Sequence, residues 1–395
     1  MWTVLGAERV ETGRDVLGTS PGHDDHGGAD LGFVHTGENT DVPELVVIAE
    51  QLLAPVPGGT GRYTGELLRA LPAAAPDGWT VSSVVARHGD VERARVDGVK
   101  GPRVLPLPPR ALVAVWQLGL PWWPGGDAVH APTPLAPAKA PRGRTLSITV
   151  HDTVPWTHPE TLTPRGAAWH RAMIARAAVQ ANALVTPTQA VADDLAGRVP
   201  ATAPVHVIGH GPTRFPHVVD IDVPERYVLA IGTLEPRKGI DILIDAMSRF
   251  DGPPLLLAGQ PGWGGLDPLA MARERGLPDG RVRVLGRISD AELAGVLRRA
   301  TVLAVPSLAE GFGLPLLEAM AAGVPVVHSD APALLEVTAG AGVSVPRGNA
   351  EALAVALRDL LGSPARAADL VELGHKRVQD FSWHVAAEAI WALHR

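Results

Sequence analysis

Short apolar runs alternate with stretches of helical periodicity along most of this chain. In the first half the runs fall at residues 45–49, 81–86, 129–131, 147–150, 183–185 and 205–208, and in the second at 227–231, 255–258, 282–285, 302–305 and 324–327. Such brief, continuous runs, bounded by Gly, Pro or polar residues, predict strands buried on both faces of a parallel sheet. Between them apolar residues recur at helical spacing, as at Leu67, Leu68 and Leu71 and over 165–181, 240–249, 314–322 and 350–361. Strands alternating with helices in this way predict an α/β fold with parallel sheets. The series breaks at residues 215–224, the expected linker, which divides the chain into an N-terminal domain over 43–218 and a C-terminal domain over 223–378. A last helical pattern lies in 379–395. Residues 1–42 are rich in Gly, Asp, Thr and His with little apolar periodicity, and are expected to form a mobile tail.

Length and composition narrow the function classes. At 395 residues the chain exceeds a typical single domain, and 46% hydrophobic residues supply a large core. A formal charge of −7 argues against nucleic acid as a partner, because binding a phosphate backbone needs a basic footprint. The absence of cysteine excludes disulfides and thiolate metal sites. No charged start leads into an apolar core, and the longest apolar candidate, residues 111–123, is broken by Gly119 and Pro121. A cytoplasmic protein is therefore expected.

The chemistry concentrates where the run 302–305 meets the helix over 314–322. Glu310, Gly311, Phe312, Gly313, Leu314 and Glu318 fall in this stretch, with Pro315 in the helix's first turn. Two glycines ahead of a helix let backbone N–H groups approach an anion, which the positive end of the helix dipole favours. Glu310 sits on the loop and Glu318 about one turn into the helix. Carboxylates accept paired hydroxyl hydrogen bonds, so two of them flanking an anion site suit a sugar attached to a diphosphate. Earlier, the run 227–231 opens into Gly232, then Arg237, Lys238 and Gly239. Two adjacent cations at a strand's carboxyl end suit a diphosphate leaving group, in a chain with only four lysines.

The Glu-x7-Glu spacing inside EGFGLPLLEAMAAGVPVV resembles the retaining GT-B glycosyltransferases of family GT4, notably bacterial mannosyltransferases. The likeness continues at residues 232–239 and at His151 to Pro155, an H-D-x-x-P pattern, and spans residues 44–395. It implies two Rossmann-like domains facing each other across a cleft, with residues 379–395 crossing back onto the first domain. It implies transfer of a hexose, mannose favoured, from a nucleoside diphosphate sugar to a saccharide or lipid-linked acceptor. No cofactor and no metal are implied beyond the sugar nucleotide itself, GDP-mannose favoured. Residue by residue, His151, Glu310, Arg237 and Lys238 would be catalytic. Gly59, Gly232, Arg287, Gly311, Phe312, Gly313, Leu314 and Glu318 would face the donor. Gly58, Gly61, Arg62, Tyr63 and Asp152 would lie on the acceptor side.

Other features stay open beside this reading. Gly58, Gly59 and Gly61 imitate a dinucleotide fingerprint, but Thr64 replaces the third glycine and Arg87 stands where a ribose-binding acid belongs. They are read as a close-approach loop at the head of the first domain, or as a turn needing positive φ. His151 stands at a strand end, where it can donate to a sugar hydroxyl or act as a mere cap. Trp116, Trp122 and Trp123 line an acceptor groove, touch the inner membrane surface or simply pack. The helix with Arg171 and Arg176 binds a lipid phosphate or presents a solvated face. Asp220-Ile221-Asp222 and the His23-Asp24-Asp25-His26 cluster are read as chance rather than as metal sites. An epimerase or phosphorylase on the same fold, or a silent sugar-nucleotide-binding subunit, is the alternative function.

Overall fold

The computed structural model describes residues 42–395 other than 216 and 263. The expected tail, except Val42, and the cluster from His23 to His26 lie outside the described residues. Two parallel sheets carry the fold. The first contains β1 (Glu44–Ile48), β2 (Thr80–Val85), β3 (Lys100–Val104), β4 (Ala128–Ala131), β5 (Thr145–Thr149), β6 (Ala183–Thr186) and β7 (Val205–Val207). Their order is β3-β2-β1-β4-β5-β6-β7. The second contains β8 (Val228–Ile231), β9 (Leu255–Ala258), β10 (Val282–Gly286), β11 (Val302–Val305), β12 (Val326–Ser329) and β13 (Val343–Val345), ordered β10-β9-β8-β11-β12-β13. This is the pair of Rossmann-like units expected from the alternation of apolar runs and helices.

The strand order reverses beside β1 in one sheet and beside β8 in the other. Connections leave to opposite faces at such a point, opening a crevice at the carboxyl ends of the strands. β3 and β13 had no counterpart among the apolar runs. Both are edge strands with exposed or half-buried positions, so neither carries the continuous apolar signal of a central strand.

The helix Trp383–Ala392 lies on the first unit. The Trp391 indole donates to the Leu71 carbonyl at 3.0 Å, and its ring meets Trp79 edge-on at 5.6 Å. Tyr63, Leu67, Leu316, Phe312, Trp383 and Trp391 belong to one continuous buried cluster, so the two units share apolar core where they meet. The tryptophans at 116, 122 and 123 pack instead of lining a groove. Trp116 is fully buried, and the indoles of Trp116 and Trp123 donate to the carbonyls of Trp122 and Gly126. Arg176 caps the helix Pro109–Gln117 by donating to the Trp116 and Gln117 carbonyls, which takes it off the solvated face. Among the described residues no helix is long and apolar enough to cross a membrane.

Candidate functional site

A cleft of about 900 Å³ opens between the carboxyl ends of the two sheets. Every residue that the family resemblance assigned to catalysis, donor or acceptor lines it except Tyr63, which is buried beneath its floor. Lys238 and Glu310 form its centre. The Lys238 ammonium donates to Glu310 Oε1 at 2.6 Å, and the Ser307 hydroxyl donates to the same oxygen at 2.7 Å. Arg237 Nη1 lies 3.8 Å from Glu310 Oε2 and donates to the Ala309 carbonyl at 2.8 Å. Its other nitrogen, Nη2, donates to Glu235 Oε1 at 2.6 Å. Burial alone would raise the Glu310 pKa, but Lys238 and then Arg237 outweigh it and hold the carboxyl below its ordinary value. The carboxylate is thus kept ionised in a water-poor site, and two cations are held still beside it.

The head of the helix Leu314–Ala321 is shaped by two glycines with different tasks. Gly313, the residue before the helix, has φ 95°, in the left-handed region, and no side chain caps the first turn. Pro315 has no N–H and the Leu316 N–H turns back to the Gly313 carbonyl at 2.9 Å, so an acceptor at this helix start would be met by the N–H groups of Gly313 and Leu314. Gly311 is set by space: a Cβ there would collide with the His151 carbonyl oxygen of the first unit. Its own carbonyl accepts from Thr188 Oγ1 at 3.0 Å, so this loop is clamped against the opposite wall.

Glu318 is the other carboxylate. It is buried, accepts a hydrogen bond from the Thr213 hydroxyl and lies 3.7 Å from Arg62 Nε. Burial pushes its pKa above the ordinary value, against the opposing pull of Arg62 and Thr213. Arg62, placed on the acceptor side by the family resemblance, reaches across the cleft. It makes a two-pronged contact with Asp290 at 2.7 and 3.2 Å, which ties the first helix of one unit to the second unit. Arg287 is exposed at the cleft rim.

The glycine segment needs correction. Gly58, Gly59 and Gly61 are not a loop but the first turn of the helix Gly58–Ala70. Pro57, already in the right-handed helical region, starts the turn, and tertiary contacts override glycine's poor propensity. Of the three only Gly58 has positive φ, at 54°. Gly61 passes under Pro57, whose ring a Cβ would overlap, while a Cβ on Gly59 would meet nothing.

On the opposite wall the His151 ring nitrogen Nε2 lies 2.8 Å from the Pro132 carbonyl, so Nε2 carries the proton. Burial lowers the His151 pKa, leaving the ring neutral at pH 7. Tyr63 packs against it at 4.7 Å with ring planes 82° apart. Asp152 Oδ1 accepts the Val154 N–H at 3.0 Å. Asp220 and Asp222 are exposed, and among the described residues no group of three metal-ligating side chains is assembled.

Sequence reasoning missed Thr213 and Asp290, whose partners Glu318 and Arg62 lie far off in the chain, and also Glu235 and Ser307, which pair locally with Arg237 and Glu310. It also passed over His210, which is buried between the rings of Trp383, Phe312 and Tyr63. Its position between Gly209 and Gly211, ahead of Pro212, was the local signal that could have found it.

Comparison with known proteins agrees with this arrangement. Residues 213–377 match the model of the glycosyl transferases group 1, and residues 57–212 that of glycosyltransferase family 4. A phosphatidyl-myo-inositol mannosyltransferase of Mycobacterium leprae is 30% identical over 362 residues, covering 89% of this chain and 84% of that protein. The O-antigen chain mannosyltransferase B of Escherichia coli is 37% identical over 162 residues. That match covers 40% of this chain and 42% of the relative, less than half its length. Among solved structures, sucrose-phosphate synthase from Thermosynechococcus elongatus superposes with a TM-score of 0.68 at 23% identity, over 89% of this chain and 98% of its own. Anabaena HepE in complex with UDP-glucose gives 0.66 at 19% identity, over 89% and 98%. At these identities the structures speak for the fold.

Proposed function

Since the chain belongs to the group 1, family 4 glycosyltransferases, we propose that it is a retaining, metal-independent hexosyltransferase using GDP-mannose. The mannose preference is supported by the relative aligned over most of its length, a mannosyltransferase. The observation that carries the mechanism is the pairing of Lys238, at 2.6 Å, and Arg237, at 3.8 Å, with Glu310 beside the uncapped helix start. The donor diphosphate would lie on those N–H groups and on the two cations, with Glu318 on the ribose hydroxyls and Glu310 on the sugar hydroxyls. As the bond from sugar C1 to phosphate oxygen breaks, its electron pair passes to the diphosphate, whose charge Lys238 and Arg237 stabilise. The acceptor hydroxyl forms the new C1–O bond from the same face and gives its proton to the departing diphosphate. His151, neutral and donating from Nε2 to Pro132, would present its other nitrogen toward the sugar.

No resident cofactor takes part on this reading. Asp152, the carboxylate beside His151, is turned to the Val154 N–H at 3.0 Å rather than set opposite a second carboxyl for double displacement, which favours same-face attack. The acceptor is a saccharide or a lipid-linked saccharide, met in the cytoplasm at the inner membrane face.

The test is thermal stabilisation by GDP, UDP, ADP and NAD⁺, each with and without magnesium, followed by turnover of GDP-mannose with the product anomer read by NMR. A magnesium-independent shift with GDP and an α-linked product are expected. A shift with NAD⁺ alone, or with no nucleotide, refutes the mechanism. His151→Ala should lose turnover and keep nucleotide binding, which separates an enzyme from a silent binding subunit, whereas Lys238→Ala should lose turnover and also weaken binding of the diphosphate.

A further inference from the structure

The strand leading to His151 has a second, polar life. Along β5 and its extension, Thr145, Ser147, Thr149 and His151 alternate with Leu146, Ile148 and Val150, so the four polar side chains share one face. An apolar ladder would be expected on a strand at the centre of a sheet, and three hydroxyls there need partners. They have them. The His394 ring lies across the first two, Nδ1 at 2.8 Å from Thr145 Oγ1 and Nε2 at 2.8 Å from Ser147 Oγ. Ser147 Oγ is 2.8 Å from His130 Nδ1, on the neighbouring strand in direct register. His130 Nε2 is 3.4 Å from the Tyr63 hydroxyl, which is also 3.1 Å from Thr149 Oγ1. The Tyr63 ring then stands edge-on against His151.

We propose that His394, carried onto the first unit by the helix Trp383–Ala392, is a positioning residue for His151, acting through Ser147, His130 and the Tyr63 hydroxyl. The His151 ring meets the Pro132 carbonyl at one nitrogen, the Tyr63 ring as a wall and, further off at 5.9 Å, the His210 ring; the first two restrain it most closely. Both lead back to the same ladder, because Pro132 follows β4, which carries His130. Two neighbouring hydroxyls aligned by one imidazole give the chain of hydrogen bonds a single direction, and the Tyr63 ring a single tilt. Without that imidazole Thr145 loses its side-chain partner and Ser147 keeps only His130, free to turn its hydroxyl, and the wall against His151 shifts. Misplacing a group at the reacting centre by even ~1 Å costs up to about 100-fold in rate. An indirect shift through several bonds should cost less.

The experiment compares His394→Ala, His394→Gln and Tyr63→Phe in the full chain, alone and combined. Two readouts are used: turnover of GDP-mannose, and the ring ¹³C–¹H NMR signal of His151, assigned by its loss in His151→Gln. The turnover arm rests on the proposed function; the NMR arm does not, so a wild-type chain that turns over nothing refutes that function and leaves this inference tested. Expected are a roughly 10-fold fall in kcat for His394→Ala with donor KM within about twofold, and a displaced His151 signal. His394→Gln, whose amide can bridge two hydroxyls, should restore both. The double variant His394→Ala/Tyr63→Phe should be no worse than the worse single, since both interrupt one path. A His151 signal unmoved in His394→Ala, even with a lowered melting temperature, would overturn the inference. So would additive losses in the double variant, or failure of His394→Gln to restore either readout.

Discussion

Replacing Gly311 by alanine tests whether the cleft must be clamped shut across His151. The added methyl would overlap the His151 carbonyl oxygen, which belongs to the opposite unit. Restoring ordinary contact, roughly 3.5 Å between such atoms, requires the two backbones to part by about 1.5–2 Å. The Thr188 hydroxyl, 3.0 Å from the Gly311 carbonyl, would lose its acceptor as they part. The strain costs on the order of 1–3 kcal/mol, as overpacking does, within what a protein of this size tolerates. The consequence for turnover is larger than for folding. On the proposed mechanism His151 would stand off the sugar while the proposed contacts of Lys238, Arg237 and Glu318, on the second unit, stay intact. A displacement of that size at the reacting centre should lower kcat about 100-fold, or ~2.7 kcal/mol in the barrier. GDP affinity, read by thermal shift, should change less than about threefold on the same reasoning. Steady-state release of GDP measures the first quantity and small-angle scattering the opening. A variant retaining kcat within about threefold of the wild type would refute the claim that contact across Gly311 assembles the site.

Gly59→Ala meets open space, so in the ligand-free protein it should raise stability by up to about 1 kcal/mol through helix propensity. If the donor backs onto this turn, the same methyl should raise donor KM, and an unchanged KM removes Gly59 from the donor site. Glu318→Gln tests the burial that raises the Glu318 pKa. A raised carboxyl gives its stabilisation below its unfolded pKa and loses it as pH rises through the folded one. The glutamine should therefore melt higher near pH 8, match the wild type in acid, and bind GDP about 10-fold more weakly, because one of the two oxygens that accept the ribose hydroxyls becomes a donor. Histidine burial acts at the other end of the pH range. His394 is lowered from 6.5 to about 4 by desolvation, so its contribution is full above pH 6.5 and lost as pH falls toward 4. That amounts to about 3 kcal/mol, and the melting temperature of His394→Gln should fall less steeply with acid. Parallel wild-type and variant slopes would show that His394 is not buried neutral.

The architecture was legible because central parallel strands must be apolar on both faces, and β1, β8, β9 and β11 have no choice of residue that hides this. The site was legible where chemistry and local sequence coincide. Glu310, Gly313 and Glu318 sit within nine consecutive residues, and Arg237 and Lys238 are adjacent. What the sequence withheld is pairing at a distance. Nothing near Arg62 announces Asp290, 228 residues on, and nothing near β5 announces His394, 247 residues beyond Ser147. The glycine turn misled for a related reason, since Pro57 and the packing around it decide between loop and helix, and glycine itself decides neither. The two carboxylates carry the same lesson further. By composition Glu310 and Glu318 are equivalent, yet Lys238 and Arg237 hold one below its ordinary pKa while burial pushes the other above it. The sequence sets both beside one helix start, but only the fold assigns them opposite characters. One is a fixed charge that anchors the cations; the other is a costly carboxylate that a hydroxyl-bearing ligand can satisfy.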